Sequence, residues 1–70
     1  MDVLVFITSI ESLEKVSEVK PLLTSVRAIK DWNFDLDDCD KVLRIEAAGL
    51  NPGSVERLLH NAGFNCQELE

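Results

Sequence analysis

Val3, Leu4, Val5, Phe6 and Ile7 form an unbroken apolar run near the start of the chain. A run this short, with β-branched residues, reads as a strand bearing apolar groups on both faces. Val5 and Ile7 are assigned to the core side; Leu4 and Phe6 fall on the open side of the sheet, as scattered surface groups or as a dimer contact. Thr8-Ser9-Ile10-Glu11 then reads as a turn with capping-box spacing. Leu13, Val16, Val19, Leu23 and Val26 follow at helical intervals. Pro21 lies inside that helix, where it removes the amide donor to residue 17 and crowds that carbonyl, which predicts a kink or an end near Lys20.

Trp32, Phe34 and Leu36 alternate with Asn33 and Asp35, and Leu43, Ile45 and Ala47 alternate with Arg44 and Glu46. With the polar cluster from Asp37 to Lys41 between them, these two runs predict a β-hairpin. The second helix is marked at both ends: Asn51 as N-cap, Pro52 at the first helical position, and Gly63 at its close. Leu50 and Val55 hold the two positions of a hydrophobic staple. Phe64 to Leu69 supplies a short last strand. The order βαββαβ, with right-handed crossovers, predicts an α+β ferredoxin-like sandwich: a four-stranded antiparallel sheet in the order 4-1-3-2 with both helices on one face. The expected core is Val5, Ile7, Trp32, Phe34, Leu36, Leu43, Ile45, Val55, Leu58 and Leu59.

Seventy residues make one domain, 1–70, near the lower size at which a single apolar core suffices. The apolar start lacks a basic flank and is too short for a signal peptide or a membrane span. Two cysteines, Cys39 and Cys66, and no secretory segment place the chain in a reducing cytoplasm with free thiols. Half of the net charge of −6 falls in residues 28–46, where Asp31, Asp35, Asp37, Asp38, Asp40 and Glu46 outnumber Lys30, Lys41 and Arg44. Such a surface repels phosphate backbones and anionic lipid, so neither nucleic acid nor membrane is an expected partner. Phe6 alone, beside Arg44 and Glu46, also fails the aromatic and basic requirements of an RNA-recognition sheet.

Several stretches together resemble the heavy-metal-associated domains, the modules of copper chaperones and metal-pumping ATPases. Ile10-Glu11-Ser12-Leu13-Glu14-Lys15-Val16 resembles the family's Met-x-Cys-x-x-Cys-Val loop and helix start. Ile29 to Leu36 resembles its second strand, ending in Asp-Leu, and Ala62-Gly63-Phe64 resembles its signature after the second helix. The resemblance spans nearly the whole chain and implies the fold. It does not carry the metal chemistry over, because Ser12 and Lys15 stand where the family has its two thiols. A neutral hydroxyl is a hard ligand, and an ammonium has no lone pair and repels a cation, so neither replaces a thiolate for Cu(I). The chain resembles a degenerate member of the family, expected to hold no metal and no other cofactor at that loop.

The remaining ligand types are Cys39 in the polar turn, Cys66 in the last strand and His60 near the end of the second helix. The expected topology brings all three to one end, but places the cysteines on opposite edge strands, too far apart for an easy shared metal or disulfide. Cys66 reads as a buried thiol, Cys39 as exposed and His60 as solvated at a helix C-terminus. The Asp35, Asp37, Cys39, Glu46 spacing imitates a calcium loop but has Asp40 where glycine is needed. One histidine, no phosphate loop and no paired buried carboxylates argue against an enzyme. The expected function is a small binding module that docks a basic protein surface on Glu11, Glu14, Asp37, Asp38 and Asp40, as a monomer or weak homodimer. A residual copper or zinc carrier using Cys39, His60 or Cys66, and a small-molecule regulatory module of the same strand order, are the alternatives.

Overall fold

A computed structural model describes residues 2–69; Met1 and Glu70, the two ends of the expected domain, lie outside the described residues. The elements are β1 (Asp2–Thr8), α1 (Leu13–Thr24), β2 (Ile29–Asp35), β3 (Val42–Ala47), α2 (Pro52–Asn61) and β4 (Cys66–Glu68). The strands form one antiparallel sheet in the order β2-β3-β1-β4, the expected order read from its other edge. No helix among the described residues is long and apolar enough to cross a membrane.

Register explains the core. Leu4 and Phe6 on β1 stand opposite Ile45 and Leu43 on β3, which face Trp32 and Phe34 on β2. Paired residues share a face, so Leu4-Ile45-Trp32 and Phe6-Leu43-Phe34 are rows across one side of the sheet. Trp32 and Phe34 meet edge to face with ring centroids 5.8 Å apart. Val19 and Leu23 of α1 and Val55 and Leu59 of α2 join Phe6, Leu43 and Ile45 in a single buried cluster. Both helices therefore cover the same face of the sheet.

This reverses the expected sides of β1. Phe6 is fully buried and Leu4 packs against the core, whereas Val3 is exposed and Val5 and Ile7 are only half-buried. Leu4 and Phe6 are therefore unavailable as a dimer face. Burying the larger phenyl ring removes more apolar area from water than burying a valine. The same parity also continues through Thr8 to Ile10, both buried. Leu36 and Leu58 are half-buried, and Leu43, Ile45, Val55 and Leu59 are core as expected.

Helix α1 runs through Pro21 to Thr24 rather than stopping near Lys20. Pro21 is exposed, so the Ser17 carbonyl it leaves without a donor lies on the solvent side of the helix. Val19 and Leu23, buried on either side of it, hold both halves on the sheet. The start of α1 also differs: the N-cap is Ser12, not Thr8, with its hydroxyl accepting from the Lys15 amide. Helix α2 follows its signals. Asn51 Oδ1 accepts from Gly53 N at 2.8 Å, and Leu50 packs against the core. At the other end Gly63 takes φ 94°, while Phe64 N donates to Leu59 O and Gly63 N to His60 O. That pair of bonds is a Schellman closure, which glycine makes without strain.

Phe6→Ala is expected to lower unfolding stability by about 3–5 kcal/mol, a large part of what a small domain has. Val3→Thr on the other side of the same strand changes it by no more than about 0.5 kcal/mol. Urea denaturation of the two variants checks the assignment of faces.

Candidate functional site

Three segments meet at one end of the sheet: the β1–α1 loop, the β2–β3 turn, and the exit from α2. Thr8 joins the first two. Its amide donates to Asp40 O at 3.2 Å, its hydroxyl donates to Lys41 O at 2.7 Å, and the same oxygen accepts from Ile10 N at 3.2 Å. Ser9 joins the third, with Ser9 N donating to Asn65 O and Asn65 N donating to Ser9 Oγ at 2.9 Å. Sequence reasoning treated Thr8 and Ser9 as ordinary turn residues. Their partners lie 33 and 56 positions away, so no local pattern marks them.

The turn itself is held from inside. Asp38 Oδ1 accepts from Asp40 N at 2.9 Å, Lys41 N donates to Asp38 O, and Lys41 takes φ 51°. The Lys41 ammonium folds back to Leu36 O at 3.0 Å.

Ser12 and Lys15, at the positions of the resembled thiol pair, both serve the start of α1. Ser12 Oγ accepts from Lys15 N at 3.3 Å, which satisfies one of the amides left free at a helix start. Lys15 Nζ lies 3.3 Å from Glu11 Oε1, with side chains 41% and 64% exposed. A solvated pair of this kind stabilises the fold by at most a few tenths of a kcal/mol. What the arrangement does chemically is cap a helix and hold a surface ammonium beside a carboxylate.

The other sulfur and nitrogen ligands do not assemble. Cys39 and Cys66 are both free thiols, the first exposed and the second buried in the core cluster. His60 is exposed in the last turn of α2. Among the described residues the one cluster of three such ligand groups is Asp38, Cys39 and Asp40 in the turn, with ligand atoms within 4.8 Å of one another. His60 and Cys66 are not part of it. Burial pushes the Cys66 thiol up to about 12, and the Glu56 carboxylate adds to the rise. A thiol so held is a poor source of thiolate.

The acidic residues named from the sequence lie on two segments at this end. Glu11 and Glu14 stand exposed at the start of α1, and Asp37 and Asp40 in the turn, with Asp38 half-buried between them. Thr8 brings the two groups to the same end. Lys15 is paired with Glu11 and Lys41 is drawn back to Leu36 O, and among the described residues Glu14, Asp37, Asp38 and Asp40 form no ion pair. Leu13, between the two glutamates, is 77% exposed.

No protein-family model matches this chain, and no curated protein matches it either.

Two expectations follow. Thr8→Val keeps the shape of the side chain but leaves Lys41 O and Ile10 N without their partner, at a cost of about 1–3 kcal/mol. Hydrogen exchange at the Ile10 amide should speed up more than exchange in β3. Second, Cys66 stays neutral in the fold, whereas in the unfolded chain it ionises near 9.0. Its stabilising contribution is complete below that pH and is lost as pH rises toward about 12. Urea midpoints measured across this range should fall less steeply for Cys66→Ala than for the parent.

Proposed function

We propose that this chain is a non-enzymatic binding module with the ferredoxin-like fold of the heavy-metal-associated domains, one in which the metal loop has become a plain helix start. It acts by docking a basic protein surface against its acidic loop end. The observation that supports this reading most is the pair of roles at Ser12 and Lys15: a hydroxyl spent on capping α1 and an ammonium paired with Glu11. Neither group replaces a thiolate toward a soft cation. The shape of the end persists through Thr8 and Ser9, and the carboxylates of Glu14, Asp37 and Asp40 give it the field that steers a cationic partner.

Neutralising the patch tests the reading. Against a lysine-rich peptide, Glu14→Gln, Asp37→Asn and Asp40→Asn together should weaken binding about tenfold and flatten its dependence on salt. Unchanged affinity and salt slope would remove the patch. In parallel, the reduced protein is titrated with Cu(I) and Zn(II). Tight stoichiometric binding lost on Cys39→Ser would favour a metal carrier built on the Asp38, Cys39 and Asp40 turn over the docking module proposed here.

A further inference from the structure

Little apolar burial holds the last strand to the sheet. Strand β4 spans Cys66–Glu68 and, among the described residues, has one neighbour in the sheet, β1. Its one buried side chain is Cys66; Gln67 is exposed, Glu68 is half-buried, and Leu69 just beyond it is 50% exposed. By contrast β3, between β1 and β2, buries four of its six residues. A segment with so few apolar contacts opens more readily than the body of a fold.

Backbone bonds alternate along β1. Ser9 N donates to Asn65 O and Leu69 N to Val5 O at 2.8 Å, whereas Thr8 N donates to Asp40 O on the other side. In an antiparallel ladder this alternation assigns the backbone groups of Val5 and Ile7 to β4 and those of Leu4 and Phe6 to β3. The amides of Gln67 and Leu69 accordingly turn inward to β1, and that of Glu68 turns to the outer edge. There it donates to Glu56 Oε2 at 2.7 Å. Glu56 is half-buried in α2 beside the buried Val55, so this bond ties the sheet edge to the helix layer. An amide bonded to a carboxylate is held more strongly than one bonded to a neutral oxygen. The start of the segment is pinned separately: Phe64 N donates to Leu59 O, and Asn65 N to Ser9 Oγ at 2.9 Å.

We propose that β4 is a strap that opens and closes independently of the rest of the sheet, and that Glu56 is its latch. Opening uncovers the Cys66 thiol and frees the edge of β1 at Val5 and Ile7, while Leu4 and Phe6 stay bonded to β3. The latch uses none of the carboxylates of the loop end, so this proposal and the docking reading stand or fall separately.

Amide exchange followed by NMR reads the strap directly, because an amide exchanges as often as its bond opens. Cys39→Ser removes the exposed thiol and leaves Cys66 as the one to label. In that background Glu56→Ala should speed exchange at Ile7, Gln67 and Leu69 about tenfold, and labelling of Cys66 by an aromatic disulfide at least as much. Phe6, next to Ile7 in the same strand but bonded to β3, should keep its rate. Glu56→Gln, which retains an acceptor oxygen at the same reach, should fall between the parent and the alanine variant. The proposal is overturned if Ile7 and Phe6 speed up alike, since the opening is then global, or if Glu68 alone responds, since the bond is then purely local. It is equally overturned if Cys66 labelling changes while the exchange rates hold, or if the glutamine variant exchanges as fast as the alanine variant.

Discussion

Thr8 ends β1 with its side chain on the core side of the sheet, and there its hydroxyl donates to the Lys41 carbonyl while accepting from the Ile10 amide. Those two bonds fix where the hairpin turn sits relative to the loop that starts α1. A buried hydroxyl without partners destabilises a fold, so the geometry that satisfies it is strongly selected during folding. No buried side-chain nitrogen or oxygen among the described residues lacks a partner. The Thr8 hydroxyl joins the hairpin turn to the loop that precedes α1.

The same residue fixes which way β1 faces. With Thr8 and Ile10 inward, alternation puts Leu4 and Phe6 inward as well, and sends Val3, Val5 and Ile7 to the open face. The helix-covered side then holds the phenyl ring in one row with Leu43 and Phe34, while the open side keeps Val3, Val5 and Ile7. Loop end and open face are thus two consequences of one register. Their chemistry differs: the first carries carboxylates on α1 and on the hairpin turn, the second aliphatic groups beside Asp31, Arg44 and Glu46.

Much of the fold was legible because its signals are local. Asn51-Pro52 and Gly63 bracket α2 within one turn of where they are read, and the alternations around Trp32 and Ile45 need only the period of a strand. Strand order followed from connection rules. The parity of β1 was not legible from the strand alone, since both of its faces are apolar; the buried Ile10 two positions past Thr8 was the available clue. Pro21 misled because its cost is intrinsic to the helix, whereas the burial of Val19 and Leu23 that offsets it is tertiary. At the candidate site, Ser12 and Lys15 were recognised as poor ligands from their chemistry, but the capping role of Ser12 needed the helix start to be placed. Thr8 and Ser9 went unnoticed because their bonds span most of the chain.

The proposed reading is that the β1–α1 loop resembles that of a soft-metal site without its two sulfurs. Restoring them measures it directly: Ser12→Cys with Lys15→Cys puts two thiols across the first turn of α1, where Ser12 Oγ now lies 3.3 Å from Lys15 N. In competition with a Cu(I) chelator, the double variant is predicted to take up one Cu(I) with thiolate charge-transfer absorption, and the parent chain none at these positions. A parent chain that seats Cu(I) beside Ser12 and Lys15, or a double variant that folds and still fails to bind it, would contradict the account.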